Sequence, residues 1–85
     1  LALDIAVSPD AANHKGISGN VAGDADILLT PDLNSGNILY KSLIFLGKST
    51  SAAIVMGASV PIVLTSRADS EESKLMSIAL ASALD

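Results

Sequence analysis

Apolar residues occur along the chain in blocks separated by short polar stretches, and the block lengths predict alternating strands and helices. Three runs of strand length, residues 25–30, 52–56 and 60–65, each stop at turn-forming residues. Buried parallel strands have this near-continuous apolar character. We therefore expect an α/β architecture with a mostly parallel sheet flanked by helices.

Helical patterns occupy the stretches between these runs. Residues 8–14 predict a short helix, because a Ser-Pro pair suits a capped first turn. Residues 34–47 repeat apolar side chains at near-helical spacing, with Asn34 or Ser35 as the expected cap and Gly47 at the end. The apolar faces of such helices are suited to packing on a sheet.

Composition excludes several classes of function. The chain has 85 residues, no Cys and a net charge of −4, so it has no thiolate metal site, Cys nucleophile or disulfide. With 2% aromatic residues and no basic excess, we expect no nucleic-acid binding. The single His and the scattered carboxylates define no metal site. The absence of Cys fits a reducing compartment, so we expect a cytoplasmic protein. No apolar run approaches the ~20 residues that span a bilayer, so we expect no membrane segment.

The strongest candidate site is the abrupt change from apolar to polar residues within residues 61–70. Thr65, Ser66 and Arg67 follow a predicted strand and precede a predicted helix, a position where α/β proteins bind anions. Arg67 offers a rigid fork of donors for phosphate. The Ser66 hydroxyl is better suited to stabilising developing charge than to attack, because no base adjoins it in sequence. A strand end leading into a helix cap is the structural alternative.

A second candidate is the polar turn before the helix of residues 34–47. Its members are Asn34, Ser35, Gly36 and Asn37. Capping is the commoner reason for such residues. A binding role needs Gly36 to admit a substrate to the backbone while the neighbouring amides donate hydrogen bonds. Lys41, one turn further on, would add a positive charge.

The last predicted helix, residues 69–84, begins with acidic side chains. Asp69 and Glu72 have the spacing of a capping box. Acidic residues in a first turn usually serve the helix dipole. Either carboxylate is also a candidate general base.

The order and spacing of these segments resemble the C-terminal part of the phosphate acetyl/butyryltransferase family. The likeness covers nearly the whole chain, and its most specific parts are Asn34-Ser35-Gly36-Asn37, Tyr40-Lys41 and Ser66-Arg67. It implies that residues 1–85 are the C-terminal segment of a phosphate acyltransferase, part of a two-domain isocitrate/isopropylmalate dehydrogenase-like fold. The absence of an initiator Met before Leu1 agrees with an upstream part that is missing.

The resemblance also implies the chemistry. Such enzymes transfer an acyl group reversibly between coenzyme A, which is a substrate, and inorganic phosphate, with no bound cofactor and generally as homodimers. It implies that Ser66 stabilises the coenzyme A thiolate and that Arg67 holds phosphate, both as catalytic residues. The candidate substrate-binding residues are Asn34, Ser35, Gly36, Asn37, Lys41 and Thr65. We expect the 85-residue segment to be inactive alone.

Two departures from the acetyl-specific members bear on the acyl group. Those members carry an arginine after the Tyr-Lys pair, where this chain is apolar near Ile44 and Phe45. They also carry an aspartate seven residues beyond the Ser, where this chain has Ser73, so the base is expected to be Asp69, Glu72 or a residue upstream. The sequence of residues 64–70 resembles that of the butyryl and branched-chain members. We therefore expect butyryl or branched-chain substrates rather than acetyl.

Two alternatives belong to other classes. An isocitrate/isopropylmalate dehydrogenase-like enzyme is disfavoured, because the chain has neither a metal-binding aspartate pair nor a G-x-G-x-x-G turn opening a helix. A non-catalytic packing module would use the last helix to cover a sheet or a partner's helix. Loss of turnover without loss of folding in Arg67→Ala separates an enzyme site from such a module.

Overall fold

The computed structural model of the chain describes residues 1–84, which form helices joined by extended segments and turns. The chain divides into two compact units, the first spanning Leu1–Ser35 and the second starting at Gly36. The helices are α1 (Leu3–Val7), α2 (Pro9–His14), α3 (Leu33–Lys41) and α4 (Glu71–Leu84), and a π-helical segment, Ser42–Leu46, follows α3 directly. None of these helices combines the length and apolar character needed to cross a membrane.

The first unit is built on α1 and α2, which contact each other through small residues. Ala6 and Ala12 are its buried apolar side chains. The helix predicted for residues 8–14 is confirmed, because the Ser8 hydroxyl accepts a hydrogen bond from Ala11 N–H at 3.2 Å and Pro9 occupies the first turn. Helix α1 was not predicted, since its five residues are too few for a periodic pattern.

A loop folds back onto this helix pair. Gly23 N–H donates to the Ile5 carbonyl at 2.7 Å, and Ala25 N–H donates to the Ala6 carbonyl at 3.1 Å. Gly23 has a φ of +75°, and a Cβ at this position would lie 2.7 Å from Pro9 Cα. Only glycine combines this backbone conformation with so close an approach.

A surface ion pair joins Asp4 in the first turn of α1 to Lys15, the residue that follows α2. Lys15 Nζ donates to Asp4 Oδ2 at 2.5 Å. The Lys15 hydrogen bond, followed by the Ile5 N–H, lowers the pKa of Asp4 below its ordinary value. Both side chains are about half exposed, at 48% each, so the pair is a modest contribution to the unit.

The predicted sheet is wrong. Within residues 1–84 the only β-bridge is the antiparallel pair Val55 and Ile62, joined by a 3.0 Å hydrogen bond from Val55 N–H. A strand needs a neighbour for its backbone groups, and the run at residues 25–30 pairs with no second strand in this part of the chain. Its Ile27 and Leu29 side chains are 86% and 93% exposed. The expected α/β class, the parallel sheet and the dehydrogenase-like fold are therefore corrected to helices linked by extended segments.

Helix α3 begins one residue earlier than predicted and has a different cap. Asp32 Oδ1 accepts from Ser35 N–H at 2.8 Å, so Asp32 caps the helix while Asn34 and Ser35 lie in its first turn. The Ser35 N–H holds the pKa of Asp32 below its ordinary value. The π-helical segment ends at Gly47, as predicted, with Gly47 N–H donating to the Ser42 carbonyl at 2.9 Å.

Helix α4 is capped by Ser70, whose hydroxyl accepts from Ser73 N–H at 3.1 Å. The predicted capping box of Asp69 and Glu72 is wrong, because the Asp69 carboxylate makes other contacts. The buried side of α4 consists of small residues four positions apart: Ser73, Ser77 and Ala81. Ser77 Oγ accepts from Ala53 N–H at 2.9 Å and donates to the Ser73 carbonyl at 2.8 Å.

Candidate functional site

An open cleft of about 380 Å³ in the second unit collects several of the predicted site residues. It is lined by Asn37, Tyr40, Lys41, Ala53, Leu64, Ser66 and Asp69. Side chains three and four residues apart share one face of a helix, so α3 presents an amide, a phenol and an ammonium group together. The volume lies in the usual range for small-ligand pockets, about 300–1,000 Å³.

The second wall of the cleft is a tight turn closed by its own end residues. Asp69 N–H donates to the Ser66 carbonyl at 3.1 Å, and Ser66 N–H donates to Asp69 Oδ2 at 2.8 Å. Ala68 N–H donates to Ser66 Oγ at 3.3 Å. The Ser66 oxygen is thus engaged as an acceptor, and its own proton is left to donate to a group that enters the cleft.

The hydroxyl groups of Tyr40, Ser51 and Ser73 form a hydrogen-bonded chain that reaches this turn only through Tyr40. Tyr40 Oη donates to Asp69 Oδ1 at 2.9 Å and lies 3.1 Å from Ser51 Oγ. Ser51 Oγ is hydrogen-bonded to Ser73 Oγ at 3.3 Å. Ser73 is buried, at 4% exposure. Its hydroxyl is bonded to Ser51, and Ser73 is not among the residues that line the cleft.

The structure brings together four of the predicted site residues: Asn37, Lys41, Ser66 and Asp69. Arg67 is exposed at the tip of the turn, directly after Ser66, and Thr65 is half-buried before it. Glu72 is exposed in the first turn of α4. Two of the α3 residues, Asn34 and Ser35, belong to the first unit, and Gly36 is the half-buried first residue of the second.

Sequence reasoning named Tyr40 only as part of a motif and did not consider Ser51. The signal available for Tyr40 was that it is the only tyrosine in the chain and lies one helical turn after Asn37. Ser51 carried no signal, because a serine beside other serines and threonines looks like an ordinary loop residue.

The charges around the cleft suit an anion held by local donors. Lys41 supplies an ammonium group on one wall, and Arg67 follows the Ser66 donor on the other. Asp69, although acidic, has both oxygens in internal hydrogen bonds. Within residues 1–84, no three His, Asp or Glu side chains lie close enough to share a metal ion.

Comparison with known proteins gives a consistent family. The profile of the family described as phosphate acetyl/butaryl transferase matches residues 1–82. A probable phosphate butyryltransferase of Bacillus subtilis is 65% identical over 81 residues, which are 95% of this chain and 27% of that protein. A phosphate acetyltransferase of Thermotoga maritima is 61% identical over 79 residues, 93% of this chain and 27% of that protein. The chain thus spans about a quarter of the length of these relatives.

One solved structure is similar to this chain in sequence and in backbone. The crystal structure of a branched-chain phosphotransacylase from Enterococcus faecalis V583 matches with a TM-score of 0.86 and 49% identity, over 96% of this chain and 31% of that one. This similar structure is a phosphotransacylase and not a dehydrogenase. The result favours the acyl-transfer interpretation over the dehydrogenase alternative.

Proposed function

The chain belongs to the phosphate acetyl/butaryl transferase family, and on that premise we propose that the full-length protein containing it transfers a short-chain acyl group between coenzyme A and inorganic phosphate. The observation that carries the proposal is the preoriented Ser66 hydroxyl in a cleft that also contains Asn37 and Lys41. Both substrates are anionic. A pocket of local donors in a chain of net charge −4 is suited to hold them.

The proposed step is a direct displacement at the thioester carbonyl. A phosphate oxygen forms the new C–O bond, the C–S bond breaks, and the electron pair of that bond leaves on the coenzyme A thiolate. Ser66 donates its hydroxyl proton in a hydrogen bond to this developing thiolate, and Arg67 binds the phosphate through its guanidinium fork. No covalent acyl-enzyme is required.

The remaining site residues are assigned as substrate contacts and as a base. We propose that the substrate-binding set is Asn34, Ser35, Gly36, Asn37, Lys41 and Thr65. In the direction that consumes acyl phosphate, the coenzyme A thiol must lose its proton. Within this chain the candidates for that base are Asp69 and Glu72, which flank the cap of α4.

We further propose butyryl or branched-chain acyl groups rather than acetyl. The 65% identity with a probable butyryltransferase and the match to a branched-chain phosphotransacylase support this preference. Acetyl is the second candidate, because the acetyltransferase relative is 61% identical. A homodimer located in the cytoplasm completes the proposal.

Turnover of butyryl-coenzyme A and acetyl-coenzyme A with inorganic phosphate tests the function, with release of free thiol as the signal. The full-length protein is expected to release thiol only with phosphate and faster from butyryl-coenzyme A, and the 85-residue chain alone is expected to be inactive. Faster release from acetyl-coenzyme A would keep the reaction and reverse the acyl preference. No phosphate-dependent release from either would refute the proposed function.

An arginine variant localises the activity to this site. Arg67→Ala is expected to raise KM for phosphate and lower turnover, with Arg67→Lys intermediate, because an ammonium group lacks the bidentate fork. Lys74→Ala is the matched control, since Lys74 is another cation of the same segment that lies 4.0 Å from Glu71 on α4. Equal changes in KM for phosphate and in turnover for Arg67→Ala and Lys74→Ala would show that Arg67 is not a phosphate-binding residue.

A further inference from the structure

We infer that Asp69 and Tyr40 are positioning residues that hold the Ser66 hydroxyl in the orientation its catalytic role requires. The inference rests on the proposed function of Ser66. Asp69 contacts Ser66, and Tyr40 contacts Asp69; in this positioning role neither is assigned a contact with the substrates. The observation behind the inference is that the Asp69 carboxylate bonds both to Ser66 and to Tyr40 on α3.

The two oxygens of Asp69 have different partners. Oδ2 accepts from Ser66 N–H at 2.8 Å, across the turn, and Oδ1 accepts from Tyr40 Oη at 2.9 Å, on α3. Hydrogen bonds to an ionised carboxylate are stronger and better oriented than those between neutral groups. Asp69 therefore fixes the backbone of Ser66 relative to Tyr40 on α3, which lies 26 residues earlier in the sequence.

The position of Ser66 N–H determines where its side chain lies. Ser66 Oγ also accepts from Ala68 N–H at 3.3 Å, so both backbone and hydroxyl of Ser66 are held within the same turn. A misplacement of about 1 Å in a reacting group can reduce a rate about 10²-fold. Loss of the carboxylate in Asp69→Ala is therefore expected to lower kcat about 100-fold with a smaller change in KM.

Tyr40→Phe removes one of the two hydrogen bonds to Asp69 and leaves the other in place. We expect a loss in kcat of about tenfold, because the carboxylate then keeps its bond to Ser66 but loses its anchor on α3. Ser51→Ala is the matched control. It removes a hydroxyl partner of Tyr40 Oη, 3.1 Å away, without touching the bond between Tyr40 and Asp69.

Asp69→Asn separates positioning from proton transfer. An asparagine can accept from Ser66 N–H through its carbonyl and direct its amide at the Tyr40 oxygen, but it cannot act as a base. If Asp69 positions Ser66, Asp69→Asn retains much more turnover than Asp69→Ala, and the shape of the pH profile stays that of the wild type. If Asp69 is the base, both variants lose turnover to a similar extent.

The experiment combines steady-state kinetics with amide hydrogen exchange at Ser66 in the full-length protein. The inference predicts that exchange at Ser66 is faster in Asp69→Ala and Tyr40→Phe than in wild type, Asp69→Asn and Ser51→Ala, in the same order as the losses in kcat. It is overturned if Asp69→Asn is as slow an enzyme as Asp69→Ala, or if Tyr40→Phe matches Ser51→Ala.

The exchange measurement also separates this inference from the proposed function. A wild-type protein that shows no phosphate-dependent thiol release would refute the acyl-transfer proposal, while Ser66 exchange would still report whether Asp69 holds the turn. Unchanged Ser66 exchange in Asp69→Ala, in a protein that does turn over acyl-coenzyme A, would refute the positioning role alone.

Discussion

Ser77→Ala tests whether a single hydroxyl attaches the segment before the Val55 bridge to α4. Ser77 is 2% exposed, and its Oγ accepts from Ala53 N–H at 2.9 Å. Removing the hydroxyl leaves that N–H without its partner. Because Ala53 is itself exposed, water can replace the lost acceptor, and the loss is expected near the net value of one hydrogen bond, about 1 kcal/mol.

Alanine also favours the helix, and this gain must be separated from the lost bond. A Ser to Ala change in a helix interior contributes up to about 0.5 kcal/mol, so Ser77→Ala alone should destabilise the protein by only about 0.5–1 kcal/mol. Ser82→Ala is the matched control, because Ser82 is an exposed serine of the same helix. Subtracting the two changes cancels the propensity gain and leaves about 1 kcal/mol for the hydrogen bonds of the Ser77 hydroxyl, of which the exchange of the Ala53 amide reports the one to Ala53.

The assay is amide hydrogen exchange at Ala53 together with urea unfolding of the full-length protein. Protection of the Ala53 amide is expected to fall about fivefold in Ser77→Ala, the factor that corresponds to about 1 kcal/mol. Ser82→Ala should leave it unchanged. Equal Ala53 protection in both variants would show that Ser77 does not hold this segment, and the reasoning from its hydrogen bonds would be wrong.

Three other substitutions probe the cap of α4, the loop at Gly23 and the ion pair between Asp4 and Lys15. Ser70→Ala should destabilise by about 1 kcal/mol in urea unfolding, whereas Ser70→Asp, another good cap, should not. Gly23→Ala should lower Tm more than Gly16→Ala: both have positive φ, but only at Gly23 does the new Cβ meet backbone, at 2.7 Å from Pro9 Cα. The pKa of Asp4 is lowered, so its stabilisation is present above the ordinary value of 3.8 and disappears as pH falls through the lowered pKa. The Tm difference between wild type and Asp4→Asn should therefore vanish in acid, and a difference that persists at pH 2 would contradict this.

Local features of the fold could be predicted from the sequence, whereas long-range pairing could not. The Ser8 cap and the end at Gly47 were correct because each depends on neighbouring residues. The caps of α3 and α4 were misplaced by one to three residues, since Asp32 and Ser70 compete with other capping residues nearby. The prediction of a sheet was wrong because an apolar run indicates a strand but does not show which backbone will pair with it.

The candidate site shows the same division. Asn37, Lys41 and Ser66 were named from their motifs, and all three line one cleft. The bond between Tyr40 and Asp69 was missed, because residues 29 apart share no local pattern. Asp69 was interpreted as a helix cap, which its residue type and spacing favour. Only the fold shows that its carboxylate serves the Ser66 turn instead.

The π-helical segment at Ser42–Leu46 affects how this chain aligns with other sequences. A π turn closes its hydrogen bonds five residues apart, as between Ser42 and Gly47, and so contains one residue more than an α turn. A relative with a regular α-helix here would need one residue fewer to reach the same glycine. We therefore expect deletion of one residue to be better tolerated here than within α4, because it would convert the π turn to an α turn that still ends at the glycine.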